Sequence, residues 1–206
     1  MIRTAMRLPG IGIALVLAAC ASAPLHYYTL VPPANEPANE TAVPATAALP
    51  FELLPVGVPA QVDQPQLVVR EDGQTVALLN GERWIAPLGD EVRSALSADL
   101  ARELRSPDVS GLTGNGKPLL RIKLDLRRFD SQPGSYALIE GGWSVRVLHG
   151  PHAGVLSCSS RISETVGPGY AALVQGHQRA IGQLAVQIAD AARALGNGQV
   201  VACPAG

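Results

Sequence analysis

A regular alternation of apolar and charged residues between positions 119 and 129 is the feature that most restricts the fold of this chain. Because successive side chains of a strand point to opposite faces, the pattern predicts a strand with one buried and one solvated face, which is typical of antiparallel sheets. The buried face needs a covering layer of other elements. The apolar positions are Leu120, Ile122, Leu124 and Leu126, and the charged ones are Arg121, Lys123, Asp125 and Arg127.

Two segments have the apolar spacing of amphipathic helices and can supply that layer. Residues 87–105 begin with Pro87, which suits the first position of a helix, and carry Asp90 and Glu91 where acidic side chains favour the helix dipole. Residues 170–195 carry a longer apolar stripe and are followed by Gly196-Asn197-Gly198, a typical helix end.

Further strands are predicted at residues 51–58, 66–70, 75–79, 136–148 and 155–166, after a short β-prone run at 26–30. Asn80-Gly81 is interpreted as a turn towards Arg83, and Gly141-Gly142 as a bulge. The order of strands, helix, three meandering strands and helix predicts a single α+β domain. In it, a mostly antiparallel sheet carries both helices packed on one face.

The first 19 residues have the pattern of a secretory signal. Arg3 and Arg7 precede an apolar run at residues 8–19, and about a dozen apolar residues are too few to span a bilayer. Leu17-Ala18-Ala19-Cys20 resembles a bacterial lipobox, in which the cysteine receives a diacylglycerol and its freed amine is acylated, for example by palmitate. The alternative is a plain secretory cleavage site. Ala21 differs from the Asp of inner-membrane retention and so favours the outer membrane.

The predicted organisation is a lipoprotein signal peptide at residues 1–19, a lipidated N-terminus with a short strand and a linker at 20–50, and a globular domain at 51–206. Residues 31–50 hold five prolines and many small residues, which is typical of an extended linker. Removal of the signal leaves 14 basic and 17 acidic residues, with the arginines spread evenly. This composition argues against a nucleic-acid-binding surface.

Two cysteines besides Cys20 remain in the exported chain. In an oxidising compartment, Cys158 and Cys203 are predicted to form a disulfide that holds the C-terminal tail. The alternative is a nucleophilic Cys158 with His177 as its base. His177 falls on the apolar stripe of the last helix, where a core histidine is the simpler interpretation. The sequence contains no nucleophile elbow, phosphate-binding loop or metal motif, so we predict no catalytic residue, cofactor or metal.

Three stretches of the sequence, taken in order, resemble a known protein family. Together they resemble the ABC-type transport auxiliary lipoproteins, of which the paraquat-inducible protein C group is the best-known branch. Their residues are interpreted as structural. The first stretch is Tyr27-Tyr28-Thr29-Leu30, the second runs from Pro55 to Arg70 and includes Asp63, Pro65 and Gln66, and the third contains Trp84, Pro87 and Leu88.

The resemblance implies a non-enzymatic lipoprotein held in the outer membrane by its acyl chains and facing the periplasm. It further implies an auxiliary role in lipid transport by an ABC transporter and an MCE-domain protein. This transport system maintains envelope integrity. The expected partners are membrane lipid and the MCE-domain protein, and a homo-oligomer is left open. The alternatives are a periplasmic lipoprotein hydrolase and an assembly lipoprotein for another outer-membrane complex.

Overall fold

A computed structural model describes residues 24–33, 49–112, 116–150 and 152–204. The predicted signal peptide, Cys20 and residues 34–48 of the linker lie outside the described residues. Within the described ranges, no helix has the length and apolarity needed to cross a bilayer. The elements are β1 (His26–Tyr28), β2 (Phe51–Leu53), β3 (Gln66–Arg70), β4 (Val76–Trp84), α1 (Leu88–Leu104), β5 (Leu119–Gln132), β6 (Tyr136–Leu148), β7 (Val155–Thr165) and α2 (Tyr170–Gly196).

The strands form two mixed sheets. The three-stranded sheet has the order β1-β4-β3, and the four-stranded sheet has the order β2-β5-β6-β7. β1 pairs parallel with β4 and β2 parallel with β5, whereas the β3–β4, β5–β6 and β6–β7 pairs are antiparallel. The predicted α+β single domain is therefore confirmed, with its strands divided between two sheets. Hydrophobic alternation reports which side chains are buried, but it does not identify the neighbouring strand.

Two local interpretations differ from the structure. Asn80-Gly81 is not a turn but lies inside β4, where the pairing changes register: Gln66 is opposite Arg83, whereas Leu67 is opposite Leu79. The extra residues of β4 are accommodated as an irregularity of the ladder. The predicted strand at 51–58 is regular only in β2, and Gly57 makes an isolated bridge to Asp125.

A bulge does occur beside Gly141, but the register shift is in β5, between Leu126 and Arg128. A Cβ atom at Gly141 would lie 2.6 Å from the carbonyl oxygen of Asp125. Only glycine therefore allows the two strands to approach each other at this point.

Both helices contribute to the main core, in which α2 packs on β6 and β7 and α1 packs against α2. The alternating apolar residues of β5 face this core, and Leu120, Ile122 and Leu124 are fully buried. Pro87 is the N-cap of α1, one position before its predicted place in the first turn. The chain leaves α2 through Gly198, whose φ of 72° favours glycine.

An aromatic contact joins the two sheets. The ring of Trp84 in β4 meets the ring of Phe129 in β5 edge to face, with centroids 6.0 Å apart. Both rings are buried. Edge-to-face pairs of this kind contribute about 0.5–1.5 kcal/mol beyond the burial of their apolar area.

We expect Trp84→Ala to lower the free energy of unfolding by about 3–5 kcal/mol, because removing a buried indole leaves a cavity between the sheets. Tyr27→Ala is the control, since Tyr27 lies on the neighbouring strand but is 55% exposed. Its effect should stay within about 0.5 kcal/mol. Urea denaturation followed by circular dichroism measures both variants, and equal losses would contradict the packing of Trp84.

Candidate functional site

The three stretches that carry the family resemblance supply β1, β3 and the end of β4 in the three-stranded sheet, and the connection from β4 to α1. Tyr28 is opposite Trp84 in the parallel β1–β4 ladder. The backbone N–H of Trp84 donates to the carbonyl of Pro65 at 2.9 Å, and that of Ile85 donates to the carbonyl of Tyr28 at 2.9 Å. Stretches that are distant in sequence are therefore joined by one continuous set of main-chain hydrogen bonds.

Glu82 of β4 holds β1 in place. Its carboxylate accepts a 2.7 Å hydrogen bond from the Tyr28 hydroxyl and lies 3.0 Å from Nδ1 of His26. The bond from Tyr28 holds the pKa of Glu82 below its ordinary value. Burial, together with the bond to Glu82, raises the pKa of Tyr28 to about 12. At neutral pH, Tyr28 is therefore a protonated donor and Glu82 a charged acceptor, which strengthens the contact.

Glu91 in the first turn of α1 holds the residues that follow β1. One of its carboxylate oxygens accepts hydrogen bonds from the Thr29 hydroxyl and from the backbone N–H of Leu30, both at 2.8 Å. Leu30 is completely buried. The sequence predicted a dipole contact for Glu91 and missed this second role, which attaches the N-terminal segment to the helix.

Asp130 of β5 joins the sheets on the other side of the aromatic contact. It accepts hydrogen bonds from Arg70 at 3.1 and 3.2 Å, from Arg128 at 2.9 Å and from the Tyr136 hydroxyl at 3.3 Å. Burial alone would raise the pKa of Asp130, but the two arginines outweigh burial and hold this pKa below its ordinary value. The motif residue Arg70 is thus the donor side of a bidentate contact between sheets.

His177 of α2 lies fully buried against the aromatic contact. Its ring stacks on Phe129 with centroids 3.9 Å apart, and its Nε2 lies 2.8 Å from the hydroxyl oxygen of Ser131. Nδ1 has no hydrogen-bond partner in the described part of the chain. Burial lowers the pKa of His177 to about 3. The imidazole is therefore neutral at physiological pH, and Phe129 and Ser131 enclose it.

The predicted disulfide is present: Cys158 and Cys203 are joined, with Cα atoms 5.5 Å apart and a sequence separation of 45 residues. It attaches the C-terminal tail to β7, and closing a loop of this length stabilises by about 4 kcal/mol in the chain-entropy model. A Cys158 thiol is therefore not available to an enclosed His177 base. Across the described ranges, no group of three or more His, Cys, Asp or Glu side chains could hold a metal.

The three-stranded sheet presents one face to solvent, which we call the outer sheet face. The inward residues Leu67 and Val69 are buried, while their neighbours along β3 are partly exposed. A groove of about 370 Å³ lies between this face and β5, and Val68, Leu78 and Arg127 are among its lining residues. The outer sheet face consists of Leu25, Tyr27, Gln66, Val68, Arg70, Val76, Leu78, Arg83 and Ile85.

The solvated face of the four-stranded sheet is polar and mainly basic. Arg121 pairs with Glu52 at 2.8 Å, and across the β5–β6 ladder it stands opposite Arg146. Like charges directly opposite each other disfavour strand pairing, so this arrangement does not serve the stability of the sheet. Serines and a glycine occupy the middle of this face, at Gly142, Ser144, Ser157 and Ser159.

Comparisons with known proteins agree with the resemblance seen in the sequence. The sequence model of the family described as "ABC-type transport auxiliary lipoprotein component" matches residues 28–189. No curated protein matches the chain.

Two solved structures share the fold. A crystal structure of an uncharacterized protein has a TM-score of 0.61 and 18% identity, covering 82% of this chain and 99% of its own. A crystal structure of a Xanthomonas campestris protein has a TM-score of 0.54 and 16% identity, covering 72% of this chain and 86% of its own. At these identities, the likeness concerns the fold alone.

Acidification should destabilise the protein through His177. Its folded pKa of about 3 lies below the ordinary value of 6.5. The unfolded chain therefore takes up the proton first, and stability is lost as the pH falls from that ordinary value towards the folded one. Below about pH 5.5 the expected slope is about 1.4 kcal/mol per pH unit.

Urea denaturation at a series of pH values from neutral to mildly acidic measures this slope. His177→Phe keeps a ring over Phe129 and removes the titrating group, so the slope should become flatter even if the absolute stability changes. An unchanged slope in this variant would show that another group causes the acid sensitivity.

Proposed function

Because the chain belongs to the family of ABC-type transport auxiliary lipoprotein components, we propose that it is a lipid-anchored, non-enzymatic component of a transport system. The observation that carries this proposal is the family match over residues 28–189, which runs from the end of β1 into α2. It includes both sheets and the contacts that join them, rather than one short motif.

The proposed anchor is Cys20, and the proposed location is the periplasmic side of the outer membrane. The support is the Leu17-Ala18-Ala19-Cys20 pattern after a signal-like segment and the Ala21 that follows it. A Cys158–Cys203 disulfide suits an oxidising compartment such as the periplasm. Two or more acyl chains hold a protein on a membrane far more firmly than one chain does.

The proposed task is to assist an ABC transporter and an MCE-domain periplasmic protein in moving lipid and maintaining the envelope. This role beside an ABC transporter and an MCE-domain protein is supported by the family resemblance. The motif residues with described side-chain contacts hold elements of the fold together: Tyr28 donates to Glu82, and Arg70 donates to Asp130. Such a domain would act through its surfaces, by docking to a partner or a membrane.

The anchor is tested by Cys20→Ser. Without the thiol no diacylglycerol can be attached, so we expect the variant to lose lipid labelling and to remain as uncleaved precursor or soluble protein. Labelling with radioactive palmitate and membrane fractionation measure both effects, with the Cys158→Ser/Cys203→Ser variant as the control that keeps the anchor. Processed, outer-membrane-bound Cys20→Ser protein would refute the lipobox.

The transport role predicts that deleting the gene weakens the envelope barrier and that the mature protein co-purifies with an MCE-domain protein. Dye-uptake assays measure the barrier, and plasmid-borne variants measure complementation. Folded His177→Ala and Cys158→Ser/Cys203→Ser variants should restore the barrier, because none of these three residues is proposed to be catalytic. Loss of function in such a variant at normal abundance and melting temperature would favour an enzyme.

A further inference from the structure

We propose that the outer sheet face lies against an anionic phospholipid surface. The domain is then held on the membrane by this face as well as by its acyl chains. The proposal rests on lipidation at Cys20, which the proposed function includes. The lipid headgroups would contact the outward residues of β1, β3 and β4.

The chain between the proposed anchor and the three-stranded sheet is short. Four residue steps separate Cys20 from Pro24, and a fully extended chain of this length spans at most about 14 Å. Pro24 adjoins β4, since a Cβ atom at Gly81 would lie 3.7 Å from the carbonyl oxygen of Pro24. β1 then begins at His26 and forms one edge of the three-stranded sheet. Lipidation at Cys20 would therefore keep this sheet at the membrane.

Exposed apolar side chains are concentrated on the outer sheet face. In the described part of the chain, nine large hydrophobic side chains are exposed, and five of them belong to the outer sheet face. The outward direction of Val76 and Leu78 follows from the register, in which Leu78 is opposite Val68 and Val76 is opposite Arg70, while the residues between them face the core. Tyr27 is opposite the outward Arg83, and Leu25 and Ile85 are exposed residues that flank the paired part of β1 and β4. Tyrosine and aliphatic side chains of this kind suit the boundary between headgroups and acyl chains. The five residues are Leu25, Tyr27, Val76, Leu78 and Ile85.

The charged residues of the three-stranded sheet are mainly basic. The strands β1, β3 and β4 contain one acidic residue, Glu82, and its carboxylate is engaged by His26 and Tyr28. The basic residues Arg70 and Arg83 lie at outward positions of the same strands. Arg70 is paired with Asp130 of β5, whereas Arg83 donates to a main-chain carbonyl, that of Asn80. The exported chain carries more acidic than basic residues, so this face is opposite in sign to the chain as a whole. Anionic lipid headgroups attract arginines placed near the surface.

Continuity with β5 extends the basic character. Arg127 and Arg128 line the groove beside Val68 and Leu78, together with Asp130, which accepts a hydrogen bond from Arg128. The solvated face of the four-stranded sheet is also basic, but its central positions are serines and a glycine, which give little apolar area. The short tether and the exposed apolar side chains together favour the bilayer, rather than an acidic protein, as the occupant of the outer sheet face.

The test uses the whole mature chain with Cys20→Ser, so that binding depends on the protein surface alone. We expect it to co-sediment with vesicles of phosphatidylcholine and phosphatidylglycerol and to bind pure phosphatidylcholine vesicles much less. Leu78→Asp and Arg83→Glu should each weaken binding by about tenfold. The matched controls on the other sheet, Val155→Asp and Arg146→Glu, introduce the same charges at exposed strand positions and should leave binding nearly unchanged. Thermal melting verifies that every variant is folded.

Three results would overturn the proposal. One is the absence of binding to phosphatidylglycerol vesicles, and another is an equal loss of binding in the control variants, which would indicate nonspecific charge attraction. The third is loss of envelope function in Leu78→Asp cells while vesicle binding is unaffected, which would assign the face to a protein partner. The two vesicle results are obtained with Cys20→Ser protein and so do not depend on the acyl anchor. The result in cells compares Leu78→Asp with the wild type, both of which keep Cys20, so each result is distinguishable from failure of the Cys20 localisation test.

Discussion

The contact of three rings, in which Trp84 meets Phe129 edge to face and Phe129 stacks on His177, is the contact on which the arrangement of this protein depends. Each ring belongs to a different layer: β4 of the three-stranded sheet, β5 of the four-stranded sheet, and α2. The Ser131 hydroxyl partners one nitrogen of the imidazole, and burial keeps the ring neutral. Because these three rings join all three layers, they fix the orientation of the outer sheet face relative to β5.

Residue periodicity was sufficient to locate the long elements. The strands β5, β6 and β7 and both helices lie close to their predicted positions. Each buries one face, and the spacing of its own apolar residues shows which face that is. Pairing was not predictable in the same way. The parallel contacts of β1 with β4 and β2 with β5 join segments far apart in sequence, and a three-residue strand has too little pattern to identify its partner.

The candidate site was predicted only in part, and the acidic residues explain why. Glu82, Glu91 and Asp130 each hold two or more elements together, yet in the sequence they resemble ordinary solvated charges. Their roles depend on burial, which is decided by strands that are distant in the chain. One signal was available for Glu82, since it is the single acidic residue in β1, β3 and β4. The disulfide was simpler to predict, because two thiols besides Cys20 in an exported chain leave few alternatives to pairing with each other.

The pleat of the three-stranded sheet divides most of its side chains between the core and the surroundings. Arg70 is the exception, because it lies at an outward position and also binds Asp130 of the other sheet. Inward residues such as Tyr28, Leu67 and Trp84 hold β1 and β3 to the core, whereas outward residues such as Leu78 and Arg83 meet the surroundings. Because side chains alternate with a period of two, a surface residue can change without disturbing the core residue beside it. A membrane-facing role for the outer face therefore imposes no cost on packing. The rigid inward contacts in turn hold the apolar and basic side chains in one fixed arrangement, as an interfacial surface requires.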